Sequence, residues 1–114
     1  MSRIKEINVS DLFHQIGADN NLELVDIRTA TEINRGVLPN ATILAMYLVP
    51  LKIDYFSASS RQFVIYCRTG SRSAQVCRFL NQQGIFNVIS LRGGVVKWVS
   101  GGYPLDYTSG DIDA

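Results

Sequence analysis

The sequence predicts an α/β domain of three layers, α/β/α, in which helices cover both faces of a parallel sheet. Two observations predict it. Short apolar runs of strand composition alternate along the chain with stretches of helical pattern, at the spacing of strand–helix–strand units. The chain has 114 residues, 46% of them hydrophobic and 18% charged, enough for one domain to bury a core without disulfide staples.

Lys5-Glu-Ile-Asn8 supplies a strand at the sheet edge. Ser10 is a good N-cap for a helix over Asp11 to Ile16, stopped by Gly17. Leu22-Glu-Leu-Val-Asp-Ile27 has strand composition. Thr29-Ala-Thr-Glu32 fits a capping box that opens a short helix ending near Gly36. A short strand follows at Ala41-Thr-Ile-Leu44. The run Ala45-Met-Tyr-Leu-Val-Pro-Leu51 has two readings, core or an apolar patch for self-association. Phe63-Val-Ile-Tyr66 is the next strand. From Ser71 to Gln83 a helix places Ala74, Cys77 and Leu80 on one face, with Val76 and Phe79 beside it, and Gly84 ends it. Asn87-Val-Ile-Ser-Leu91 completes five strands. A last helix, Val95 to Ser100, enters through Gly93-Gly94 and leaves through Gly101-Gly102. The domain therefore spans residues 1–105, and the polar, acidic stretch 106–114 reads as a frayed tail.

Composition removes several function classes. The longest apolar stretch, Ile43 to Leu51, is too short to span a bilayer, and the first residues show no secretory pattern, so a cytoplasmic protein is expected. Two cysteines, Cys67 and Cys77, make no disulfide framework, and a single histidine leaves no zinc set. Cofactor-free, metal-free chemistry follows as the simpler expectation. The net charge of +1 hides an asymmetry: Arg61, Arg68, Arg72, Arg78, Arg92 and Lys97 lie between Arg61 and Leu105, a stretch without Asp or Glu. That uncompensated field favours small anions and thiolates. Nucleic acid is disfavoured, because no basic run or interleaved aromatic pattern accompanies the charge.

Cys67 ends an apolar strand and is followed by Arg68, Thr69, Gly70, Ser71 and Arg72 before the helix. Gly70 can take positive φ without steric cost, and its small neighbours leave the backbone open. Successive N–H groups in such a loop form a nest for an anion, and the helix beyond adds free N–H groups and the positive end of its dipole. A thiol at the mouth of the nest ionises readily, and thiolate is the nucleophilic form. A cysteine buried as a small hydrophobe would gain nothing from two arginines in the next five residues.

The other candidates come out differently. Cys77 lies on the apolar face of its helix and reads as core. His14 has no acidic or nucleophilic neighbour in sequence and reads as a surface or structural residue. Trp98 reads as core, its N–H bonded to a nearby carbonyl. Asp26 and Arg28 at a strand end read as a local scaffold pair.

Four segments, in order, resemble the rhodanese-type sulfurtransferases. Cys67-Arg-Thr-Gly-Ser-Arg-Ser73 is similar to that family's active-site loop, in which a cysteine and an arginine bracket four residues. Leu24-Val-Asp-Ile-Arg28 with Glu32 resembles its early strand motif, and Gly36-Val-Leu-Pro-Asn-Ala41 its proline turn. Leu91-Arg-Gly-Gly-Val-Val-Lys-Trp98 with Gly102-Tyr-Pro104 resembles its closing segment. Two positions depart from the family pattern: Val37 stands where a histidine is usual, and Asn40 where a glycine is usual. Asn tolerates the left-handed conformation best among the other residues, so the turn survives.

The resemblance implies a five-stranded parallel sheet between helical layers, and a chemistry. The Cys67 thiolate would attack the outer sulfur of an anionic donor such as thiosulfate, and the resulting persulfide would pass its terminal sulfur to cyanide, a thiol or a protein acceptor. Backbone N–H groups from Arg68 to Arg72 would cradle the persulfide, and Arg68 or Arg72 would attract the donor. A rhodanese-fold module that relays sulfur or binds a partner, with little turnover of free thiosulfate, is the alternative. Cysteine-dependent phosphatases with a related sheet place one more residue between cysteine and arginine. Ser73 occupies the position where that arginine would fall.

Overall fold

The computed structural model describes residues 3–18 and 21–107. Its elements are β1 (Lys5–Ile7), α1 (Val9–Ala18), β2 (Leu22–Asp26), α2 (Ala30–Ile33), β3 (Thr42–Ile43), a 3₁₀ segment (Met46–Lys52), α3 (Ile53–Ser57), β4 (Gln62–Tyr66), α4 (Ser71–Gln82), β5 (Val88–Leu91) and α5 (Gly94–Ser100). The five strands form one sheet in the order β1-β5-β4-β2-β3, and every neighbouring pair is parallel. The fold is α/β, and its strands and helices alternate as the sequence requires.

Strand order positions the site. Central β4 pairs with β2 from Leu22↔Gln62 to Asp26↔Tyr66, and with β5 on its other side. The chain leaving β2 runs outward to β3, whereas the chain leaving β4 runs the opposite way to β5. A crevice opens at the carboxyl ends of two such strands, the place where ligands bind in open α/β sheets. Arg28 follows β2 into that crevice and Cys67 follows β4.

Side chains of β4 alternate between two cores. Phe63, Ile65 and then Cys67 belong to a cluster with Val25 of β2, Phe56 of α3, and Val76, Cys77 and Leu80 of α4. Val64 and Tyr66 face Leu12, Leu38, Leu91 and Trp98, where α1 and α5 pack. The Trp98 indole N–H donates to the Pro104 carbonyl at 2.7 Å, so this buried ring has its polar atom satisfied. Cys67 continues the alternation one residue past the strand, which aims its sulfur toward the start of α4.

Several boundaries differ from the sequence reading. Helix α1 begins at Val9 with Asn8 as its cap, whose Oδ1 accepts the Asp11 N–H at 2.8 Å, and Ser10 lies inside the first turn. It continues through Gly17 because Leu12 and Ile16 anchor it against the second core. The run from Met46 is helical, first 3₁₀ through Pro50 and then α3. Within that run Val49 is buried in the core, while Tyr47 and Leu51 stand 79% and 78% exposed. Val37 and Asp106 exchange N–H···O=C bonds of 2.7 Å, which carries backbone pairing one residue past Leu105. The rest of the expected tail, 108–114, lies outside the described residues.

Candidate active site

The loop after β4 folds around the Cys67 sulfur. Gly70 adopts φ +109°, and a Cβ there would stand 3.2 Å from the Gly93 nitrogen and 3.5 Å from the Leu91 carbonyl oxygen. Glycine thus meets both a left-handed turn and a close approach. The turn points main-chain donors inward: Sγ accepts the Gly70 N–H at 3.1 Å and the Ser73 N–H at 3.4 Å. The second donor is one of the free N–H groups in the first turn of α4. Cys67 is fully buried. Burial pushes the thiol up, but the amides of Ser73 and Gly70, the Ser73 hydroxyl and the Thr69 amide together hold it below the ordinary thiol range. Cys77, in the same core without such donors, is pushed up to about 12 by burial.

Helix α5 supports the loop from the neighbouring strand. The Val95 and Val96 N–H groups donate to the Cys67 and Arg68 carbonyls, each at 3.0 Å. Gly94 makes this approach possible. It has φ +57°, and a Cβ on it would fall 2.5 Å from both carbonyl oxygens.

Ser73 and Ser90 are site residues that the sequence reading did not assign. Both are buried; their hydroxyls are 2.7 Å apart, and the Ser73 hydroxyl also donates to the Gly70 carbonyl at 3.1 Å and lies 3.8 Å from Sγ. A signal existed. Ser73 shares the helical stripe of Cys77 and Leu80, at i, i+4 and i+7, so it is a hydroxyl on an otherwise apolar face. Ser90 likewise sits within the apolar run of β5.

The arginines divide into engaged and free. Arg28 is buried against Asp26, with Nε at 3.0 and 3.1 Å from the two carboxylate oxygens and Nη2 at 2.7 Å. Its Nη2 also donates to the Gly36 carbonyl at 2.6 Å, and the guanidinium lies 5.8 Å from the centre of the Tyr66 ring. This pair ties the end of β2 to the proline turn, where Asn40 takes φ +60°. Arg72 makes a two-pronged bridge to Glu32 at 2.9 and 2.8 Å, fastening α4 to α2. Glu32 also closes the capping box with Thr29, and the Arg72 bond leads in lowering its carboxyl to about 2. Arg68 and Thr69 are exposed, and Ser71 opens α4 with an exposed side chain. The bonds to Sγ thus come from Gly70, inside the expected stretch Arg68 to Arg72, and from Ser73, one residue beyond it.

His14 lies on the exposed side of α1, its Nδ1 2.9 Å from the Ser10 carbonyl, remote in the chain from this crevice. Among the described residues, no His, Cys, Asp and Glu cluster is arranged for a metal ion, and no helix is long and apolar enough to cross a membrane.

A cysteine held by main-chain amides at the switch point of a parallel sheet defines a cysteine-loop α/β domain, with its sulfur prepared to carry negative charge. Comparison with known proteins narrows the class: residues 9–101 match the Rhodanese-like domain, and the chain belongs to that family. It is 40% identical over 102 residues to a sulfurtransferase of Allochromatium vinosum, covering 90% of this chain and 94% of that protein. The crystal structure of a rhodanese-related protein from Thermoplasma volcanium superposes with a TM-score of 0.78 at 28% identity, covering 89% of this chain and 96% of that one. A Rhodopseudomonas palustris protein of unknown function, described as a possible tyrosine phosphatase, superposes with a TM-score of 0.81 at 27% identity, covering 90% and 85%.

Proposed function

We propose that this rhodanese-like protein moves a sulfane sulfur through a persulfide on Cys67. The Cys67 thiolate attacks the outer sulfur of an anionic donor such as thiosulfate, forming a sulfur–sulfur bond as sulfite leaves with the electron pair of the bond that breaks. The terminal sulfur then passes to cyanide, to a small thiol or to a protein acceptor. The observation that carries the reading is the convergence of the Gly70 and Ser73 amides on Sγ. Fixed dipoles of this kind stabilise charge wherever it sits along the two sulfurs, without reorganising during the reaction. With Arg72 engaged by Glu32, the guanidinium beside the loop with no partner among the described residues is that of Arg68, which takes the role of attracting the donor. The chemistry needs no cofactor, and it suits a reducing cytoplasmic setting where the thiol stays free.

Burial argues against a phosphatase. The position that would supply the phosphate-binding arginine is Ser73, fully buried against Ser90. An arginine there would bring an unpaired charge into the core, at a cost of several kcal/mol. The test is mass spectrometry of the native protein after thiosulfate treatment. One added sulfur is expected, lost on cyanide addition and absent in Cys67→Ser; an unmodified wild-type mass overturns free-thiosulfate turnover. Loading only by a protein persulfide would mark a relay module instead.

A further inference from the structure

Two buried hydroxyls behind the cysteine have few places to put their hydrogens. Ser90 is 1% exposed, in β5 beside Ile65 of β4 and Glu6 of β1. Among the described residues its hydroxyl has a single hydrogen-bond partner, the Ser73 hydroxyl at 2.7 Å. Ser73 has three: Ser90, the Gly70 carbonyl at 3.1 Å and Sγ at 3.8 Å. Each hydroxyl carries one hydrogen and two lone pairs. If Ser73 gave its hydrogen to Ser90, the Ser90 hydrogen would be left in the core without an acceptor, an arrangement that burial penalises. With Ser90 donating, both hydrogens are placed, and Ser73 keeps its own for the loop.

We propose that Ser90 is a positioning residue for the reacting thiol: its hydroxyl donates to Ser73 and so turns the Ser73 O–H toward the Cys67 loop. There the Ser73 hydrogen serves the Gly70 carbonyl while the cysteine is a thiol, and Sγ once it is a thiolate. The inference deepens the sulfur-transfer reading, on which it rests for the reaction this thiolate serves. The neutral thiol gives its own hydrogen to Ser73 Oγ. Once that proton has passed to water, Sγ has only lone pairs and takes the Ser73 hydrogen instead. A hydroxyl that accepts from Ser90 is the stronger donor to sulfur, because hydrogen bonds in a chain polarise one another. The Ser73 hydroxyl is among the groups that hold the Cys67 thiol down. The charged groups of the crevice stand apart from this chain. Arg28 is held by Asp26 and Arg72 by Glu32, and neither these nor Arg68 bonds to either serine. Glu6, the cross-strand neighbour of Ser90, is engaged by Arg92.

The experiment follows the pH dependence of Cys67 alkylation by iodoacetamide, read by peptide mass spectrometry on the full chain. It compares wild type, Ser90→Ala, Ser73→Ala, the double variant and Ser90→Thr. Ser73→Ala removes a bond to the charged sulfur and should raise the midpoint by about 1 unit. Ser90→Ala leaves every contact of the sulfur in place, yet should raise the midpoint by about 0.3 unit, through the lost cooperative strengthening. In the Ser73→Ala background the same change should move it by less than about 0.1 unit, because the link is gone. Ser90→Thr keeps the hydroxyl and should match wild type. A role in packing alone would shift the midpoint equally in both backgrounds. That result, or an unmoved midpoint in Ser90→Ala, overturns the inference, as does a rise in Ser90→Thr as large as in Ser90→Ala. Thiosulfate is offered to wild type in parallel. Failure to add sulfur to Cys67 overturns the sulfur-transfer reading alone, since alkylation needs no donor.

Discussion

Replacing Gly94 with alanine strikes the contact that sets the cysteine loop. The new Cβ would fall 2.5 Å from the Cys67 and Arg68 carbonyl oxygens and 2.6 Å from the Arg68 carbonyl carbon, all backbone atoms with no flexible end to swing aside. Holding alanine at φ +57° costs about 1 kcal/mol by itself. Relief of the clash must lengthen the Val95 and Val96 bonds to those carbonyls, each worth about 0.5–1.5 kcal/mol. The loss is therefore about 2–4 kcal/mol, a fall in Tm of roughly 10–20 °C for a domain of this size. Gly84→Ala is the matched control, because φ is +85° there and a Cβ would meet nothing within 4 Å. Strain alone should cost it about 1 kcal/mol, or roughly 5 °C. Thermal unfolding by circular dichroism compares the two, and the pH dependence of Cys67 alkylation reads the loop: Gly94→Ala should move the thiol midpoint upward and Gly84→Ala should leave it unchanged. Equal melting temperatures with unchanged titrations in both variants would refute the argument that α5 positions the cysteine loop.

Iodoacetamide should modify Cys67 with a midpoint below the ordinary thiol value of about 8.5, and Cys77 only after unfolding, since burial holds the latter near 12; the reverse order of reactivity would remove the basis for Cys67 as nucleophile. Ser73→Ala should raise the Cys67 midpoint and, by leaving the buried Ser90 hydroxyl without its partner, cost about 1–3 kcal/mol. Ser73→Ala with Ser90→Ala should be destabilised by less than the sum of the two single variants, measured by urea unfolding, because both partners of one bond leave together. Glu32 is lowered in the fold from 4.5 to about 2, so its contribution is complete above the unfolded value and fades as pH falls through the folded one. Glu32→Gln should therefore be less stable than wild type at pH 6, with the difference shrinking as pH approaches 2; a constant gap would show that the Arg72 bridge is not the cause.

The strand and helix alternation was legible because each central strand is buried on both faces and so reads as an unbroken apolar run. Phe63 to Tyr66 is the clearest case. The capping box at Thr29 and the stop at Gly84 were legible because each rests on a local hydrogen-bond rule. The segment from Met46 to Ser57 was not legible as helix. Pro50 interrupts a helical reading, and a 3₁₀ turn carries a period of three that resembles neither a strand nor an α-helix. At the site, Cys67 and its loop were visible from local order, whereas the commitment of Arg72 to Glu32 was not. That bond joins residues 40 apart in sequence, and only the crevice between β2 and β4 brings them together. Ser73 and Ser90 were overlooked for a related reason. A serine on an apolar stripe is a weak signal until its partner on another element is known.

The division of labour among charges explains why so basic a half of the chain uses amides at the sulfur itself. Main-chain dipoles held by the fold stabilise charge on the sulfur without a side chain having to move during the reaction. Here Arg28 is locked into the scaffold by Asp26, and Arg72 is held by Glu32 at the edge of the site. Neither side chain is free to follow the transferred sulfur. The donors that reach Sγ belong to a loop whose shape is fixed three times over, by Gly70 at positive φ, by Gly94 admitting α5, and by the Ser73–Ser90 contact. A rigid set of dipoles lowers the energy of thiolate and persulfide alike, and therefore favours neither loading nor unloading. Discrimination between donors must then arise outside that ring of amides.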